Sequence, residues 1–189
     1  MDAITSLLSA FGLSTAAGLN AYIPLLVVGL LGRYTNLIQL NGPYEILTNP
    51  IVLLVIAVLA LLDFIGDKIP AIDHGLHAIG VVISPIAGAI LFLAANSSNG
   101  TVSPFLAAVC GLILALGTHS ARATARPIAT ATTGGIANPI VSFVEDSTSL
   151  VLSVLAVILP VLAFVLVLIF AVLMFVLMRR IRANRQKPG

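Results

Sequence analysis

The sequence predicts an all-α integral membrane helical bundle, and three observations carry that prediction. The first is composition. The chain of 189 residues is 59% hydrophobic and only 8% charged, where a soluble domain has about 25% charged residues. Its mean hydropathy is +1.15, and no soluble core of this length could hide that much apolar surface, so the solvent has to be lipid. The second is that the apolar residues come in runs of helix length, divided by short polar or Pro/Gly-rich stretches. The third is an internal repeat, set out below.

Residues 3–32 read as a first span, interrupted by Gly18, Asn20 and Pro24. A cleaved signal segment would carry a basic start, and no Lys or Arg precedes Arg33, so the run reads as retained. Residues 33–49 form a loop, with Arg33, Asn36, Asn41-Gly42-Pro43 and Glu45. Tyr34 and Tyr44 flank it and suit a membrane interface. The second span is 50–68 and the third 74–95. An uncharged loop follows, and then a fourth span over 104–121 that runs into His119, Arg122 and Arg126. From Ile140 to Met178 there are 39 residues. One helix of that length would reach about 58 Å, against roughly 30 Å of hydrocarbon. Either a single span starts near Leu150, or Pro160 turns the chain between spans 138–158 and 161–178.

The repeat favours the second arrangement. Gly12-Leu13-x-x-Ala16-x-Gly18 matches Gly111-Leu112-x-x-Ala115-x-Gly117, and Asn49-Pro50-Ile51-Val52 matches Asn138-Pro139-Ile140-Val141. Pro70 and Pro160 then follow at matching distances. Two three-helix halves result, residues 1–100 and 101–179, with a basic tail over 180–189. Five spans are the alternative. Five of the nine basic residues are Arg179, Arg180, Arg182, Arg185 and Lys187. After an apolar helix such a tail is a cytoplasmic anchor at anionic lipid rather than a nucleic-acid patch. With six spans the N-terminus shares the tail's side, as do Lys68, Arg122 and Arg126, and only Arg33 lies opposite; five spans break that rule. Three helices per half also invert the second half, giving the 3+3 inverted repeat common among secondary transporters.

The polar residues fall at helical spacing. His119, Arg122 and Arg126 share a face with small neighbours. They could hold a phosphate or carboxylate, or simply snorkel as anchors. Ser142, Glu145, Asp146, Ser149 and Ser153 form a second stripe. It suits a hard cation or a proton relay, or internal pairing of Glu145 and Asp146 with Arg122 and Arg126. Asp63 and Asp67 share a face at i, i+4, followed by Lys68, Pro70, Asp73, His74 and His77. Asp73 suits an N-cap, and the two histidines suit an interface or a proton site. Asn20, between Gly18 and Pro24, marks either a kink or a break that frees backbone carbonyls at a substrate site.

At GLNAYIPLL, GDKIPAID and NPIVSFVED the chain resembles a family of small bacterial polytopic membrane proteins classed as a domain of unknown function. The resemblance covers most of the chain and implies no activity. DFIGDK is similar to the Glu-x-Gly-Asp-Lys motif of a manganese and calcium transporter family, with one residue more and no second copy, which points towards cations.

The expected function is a small transporter or channel for an ion or small solute, coupled to protons or a cation. Its site would lie between the broken helix one and helix four, built from Asn20, Asp63, Asp67, His119, Arg122, Arg126, Glu145 and Asp146. The alternative is a non-transporting assembly or lipid-binding scaffold. No nucleophile elbow, zinc motif or paired-aspartate signature suggests an enzyme, and no cofactor is expected. The single cysteine, Cys110, rules out an internal disulfide. The expected partners are the lipid bilayer of the cell membrane, the solute, and a second copy in a homo-oligomer, with no nucleic acid.

Overall fold

The computed structural model describes residues 2–67, 70–97, 102–133 and 138–185. These residues form seven α-helices: α1 (Ala3–Leu19), α2 (Tyr22–Tyr34), α3 (Pro50–Gly66), α4 (Pro70–Asn96), α5 (Pro104–Thr133), α6 (Asn138–Ile158) and α7 (Pro160–Arg185). A 3-10 turn at Gly42–Thr48 precedes α3. Proline opens α3, α4, α5 and α7, a position where its missing N–H costs nothing and its fixed φ already suits a helix. Asn49 caps α3 by accepting from the Ile51 N–H at 2.9 Å. Asp2 caps α1 in the same way, with bonds from both the hydroxyl and the N–H of Thr5. Those bonds hold the Asp2 carboxyl below its ordinary range.

Among the described residues three stretches are long and apolar enough to cross a membrane: Ile79–Asn96, Pro104–Thr124 and Asn138–Ile158. The Gly42–Thr48 turn and α3, bent at 65°, make a fourth if counted together. The outer faces of α3 and of the first part of α7 are apolar. Ile51, Leu54, Val55 and Val58 on α3, and Val172, Leu173 and Phe175 on α7, are all exposed, as a lipid-facing surface requires and a water-facing one does not.

α1 is the axis of the bundle, packed on α4, α5, α6 and α7. Its buried residues are almost all small: Ser6, Ser9, Ala10, Gly12, Ser14, Ala16, Ala17 and Gly18. Small residues let helices approach to backbone contact where lipid gives no hydrophobic drive to associate. A Cβ at Gly18 would stand 2.5 Å from both the Ala115 carbonyl oxygen and the Thr118 Cβ. Where α4 crosses α5, Gly88 and Gly111 face each other with their backbones touching. A methyl group at Gly111 would meet the Gly88 carbonyl and approach the Phe92 Cβ to 2.8 Å. Gly111→Ala should therefore cost about 1–3 kcal/mol. It should lower the thermal unfolding midpoint in detergent; an unchanged midpoint would contradict this crossing.

Side-chain contacts fix the helix directions. Ser14 donates to the Gly88 carbonyl at 2.9 Å and Phe11 meets Phe92 edge-on at 5.4 Å, so α1 and α4 are antiparallel. Gly88 lies by Gly111 and Ser84 by His119, so α4 and α5 are antiparallel too. Hence α1 and α5 run the same way. This differs from the expected inversion of a whole three-helix unit. α3 and α6 do run in opposite directions. Asp67, just past the end of α3, meets Ser142 near the start of α6, while Asp63 and Asp146 share Asn20.

The expected single span over 3–32 is also two helices. The chain breaks at Asn20 and reverses, because Asn41, seven residues past the end of α2, returns to Ser97 at the end of α4. α7 starts beside Gly12, where Ala163 packs, and passes Leu19 and Arg122 at Val167 and Phe170. Arg179 therefore lies at the end of the bundle opposite Asp2, not on the same side as the six-span reading expected.

Candidate functional site

The break after α1 is held by one side chain. Asn20 is 2% exposed, and all four of its amide valences are used. Its Oδ1 accepts from the Tyr22 and Ile23 N–H groups at 2.9 and 3.2 Å, capping α2. Its Nδ2 donates to Asp63 Oδ2 at 3.0 Å and to Asp146 Oδ1 at 2.9 Å. An amide that caps a helix with its oxygen can spend both N–H groups elsewhere, and here it joins acids from α3 and α6.

The carbonyls freed at the end of α1 are also taken up. Ser149 donates to the Ala16 carbonyl at 3.0 Å. Arg122 Nη1 makes a short bond to the Leu19 carbonyl, placing a cation where the helix dipole is negative. Arg122 reaches this point because Gly18 lets α5 lie against α1.

Beside Asn20 lies an ion-pair network. Arg122 Nη2 stands 2.9 Å and Arg126 Nη2 2.8 Å from Asp67 Oδ2, which also accepts from Ser142 at 2.9 Å. Arg126 Nη2 lies 2.6 Å from Glu145 Oε2. Arg122 Nε stands 2.7 Å from the same oxygen, in ion contact without hydrogen-bond alignment. Asp67 and Glu145 thus absorb both guanidiniums. Asp63 and Asp146 make no ion pair among the described residues. Asp146 is 7% exposed, and its Oδ2 has no hydrogen-bond partner among the described residues.

Two cavities flank Arg122. A polar one of about 30 Å³ is lined by Tyr22, Asp63, Asp67, Ser84, His119 and Arg122. Ser84 Oγ and His119 Nδ1 face each other in it at 3.5 Å. The other, of about 400 Å³, lies between α1, α5, α6 and α7. It is apolar apart from Arg122, Glu145 and the hydroxyls of Thr15, Thr118 and Thr148. No group of three or more His, Cys, Asp or Glu among the described residues is placed to hold a metal ion.

All eight residues singled out in the sequence, from Asn20 to Asp146, meet in this one region. Their pairing differs from the simplest expectation in one respect. Glu145 does pair with both arginines, but Asp146 turns away to Asn20 and Asp67 takes its place. The serine stripe on α6 serves Asp67 through Ser142 and α1 through Ser149, while Ser153 bonds back to the Ser149 carbonyl. Tyr22 and Ser84 had no distinguishing signal in the sequence. The side chains of Lys68, Asp73, His74 and His77 lie outside the described residues.

The chain belongs to a family described as a domain of unknown function (DUF4126), whose model matches residues 7–180. No curated protein and no solved structure matches it.

Proposed function

We propose that this family member is a membrane transporter or channel for a small ion or solute, coupled to protons or a cation. The observation that supports this reading is the Asn20 junction. At the break between α1 and α2 two acids, Asp63 of α3 and Asp146 of α6, meet one amide, and Arg122 and Arg126 are already engaged by other acids. Ionisable groups inside a membrane protein are costly and mark ion or proton pathways, and broken helices gather at transport sites.

In this reading α3 to α7 cross the bilayer. α1 and α2 form a helical hairpin with Asn20 at its apex, and irregular backbone at that depth is tolerated only where protein buries it or water lines it. The inverted relation is confined to the hairpins α3–α4 and α6–α7, which open at the matched prolines. The basic tail, Arg122 and Arg126 lie on the cytoplasmic side and Arg33 on the other, as the positive-inside rule asks. The apolar cavity beside Arg122 would admit the solute and the polar one the coupling ion.

In proteoliposomes holding a pH-sensitive dye, and in others assayed with radioactive sodium, wild type should show flux in at least one. Asp146→Asn should lower that flux at least tenfold while leaving the protein folded. Flux equal in the two proteins would remove Asp146 from the pathway. The Arg122/Arg126–Asp67/Glu145 network favours a second reading, a scaffold whose charges serve packing alone. That reading gains if neither assay shows flux.

A further inference from the structure

The polar cavity beside Asn20 has a content that its walls define. It offers about 30 Å³, room enough for water, and a buried water needs two to four polar partners. The walls offer Tyr22 from α2, Asp63 and Asp67 from α3, Ser84 from α4, and His119 and Arg122 from α5. From α6, Glu145 is held by the arginines, and Asp146 shares the Asn20 amide with Asp63. The guanidinium of Arg122 in the wall repels a metal cation, and the described residues offer no three-ligand set for one. A proton needs neither a vacant coordination shell nor space. It also meets a demand left open here, since two acids on a single nitrogen repel each other and the Asp146 Oδ2 is buried without a hydrogen-bond partner among the described residues.

We infer that Asp63 and Asp146 together hold one exchangeable proton, delivered through water held between Tyr22, Ser84 and His119. In the delivery step an imidazolium N–H of His119 gives its proton to the water oxygen while the water gives another to an Asp63 oxygen. Charge is conserved, His119 ends neutral and Asp63 ends as a carboxylic acid. This deepens the transport reading by naming its coupling ion and rests on that reading for its role, but binding of the proton can be measured without flux.

Infrared difference spectroscopy of the full-length protein in liposomes, titrated from about pH 5 to pH 9, reads protonated carboxyl groups directly through their C=O stretch. Wild type should show one carboxylic-acid band that titrates, and Asp63→Asn should abolish or shift it. Asp146→Asn should move it as well, because the partner acid is gone. His119→Gln should leave the band in place and slow its response to a pH jump at least tenfold. No titrating band in wild type, or an identical band in both aspartate variants, overturns the inference, and the wild-type measurement stands even if a variant fails to fold. Flux without a band would leave transport in place with another coupling ion. A band without flux would establish the proton site and remove the transport reading.

Discussion

Arg122→Ala should give the largest loss of stability of any single substitution in the described part of the chain. The guanidinium binds the Leu19 carbonyl, Asp67 and Glu145 at once, and the residue is 9% exposed. Breaking a buried pair by removing one partner costs about 3–5 kcal/mol, because the remaining charge stays buried. Here Asp67 and Glu145 would both fall back on Arg126 alone, and the last carbonyl of α1 would lose its partner. For a domain of this size that corresponds to a fall in midpoint of roughly 6–20 °C, measurable by thermal unfolding in detergent. Arg122→Lys should recover only part of it, since a single ammonium group cannot span three acceptors in fork geometry. A midpoint within a degree or two of wild type for Arg122→Ala would mean that the network does not hold α1 to α5.

Asn20→Leu should be the second most damaging, and its comparison with Asn20→Asp separates two roles. Leucine removes the cap of α2, worth about 0.5–2 kcal/mol. It also takes the one side-chain hydrogen bond that Asp63 and Asp146 each make among the described residues, at about 1–3 kcal/mol for each buried group left without a partner. Aspartate is as good a cap as asparagine, so Asn20→Asp should keep the turn between α1 and α2. It places a third acid among two, however, and like charges favour the protonated forms. The variant should therefore be close to wild type in stability at about pH 5 and lose stability as pH rises towards about 8. Asn20→Asp as stable as wild type across that whole range, with Asn20→Leu destabilised, would mean that the α2 cap, and not the link between acids, is what Asn20 supplies.

Much of this arrangement was legible in the sequence, and the limits have physical causes. Pro50 and Pro160 mark helix starts because a residue without an N–H is harmless there and harmful anywhere else in a helix. Pro70 opens α4 for the same reason, four residues before the expected start at residue 74, so Asp73 lies within the helix and is not its N-cap. The grouping of His119, Arg122 and Arg126, and of Glu145 with the serines, followed from residues per turn. The reversal at Asn20 did not. Residues 21–32 are as apolar as those before them, and the side chains that stabilise the turn lie 43 and 126 residues further along the chain. Which acid faces which arginine depends on the rotation of α3 and α6 about their axes, and spacing within one helix leaves that open. For this reason Asp67 rather than Asp146 as the partner of the arginines became visible only in three dimensions.

The central position of α1 bears on how the molecule is made. A segment carrying Ser6, Ser9, Ser14 and Thr15, with most of its surface covered by other helices, is a poor resident of bare lipid. Its apex contact with Asp146 is translated 126 residues after it. Biogenesis must therefore shelter α1, at the translocon or in a shallow provisional position, until α5 and α6 emerge and close around it. Final docking is then a late, post-insertion event: the Ser14 hydroxyl exchanges a temporary partner for the Gly88 carbonyl, and the Ala16 carbonyl receives the Ser149 hydroxyl, only once the chain is nearly complete.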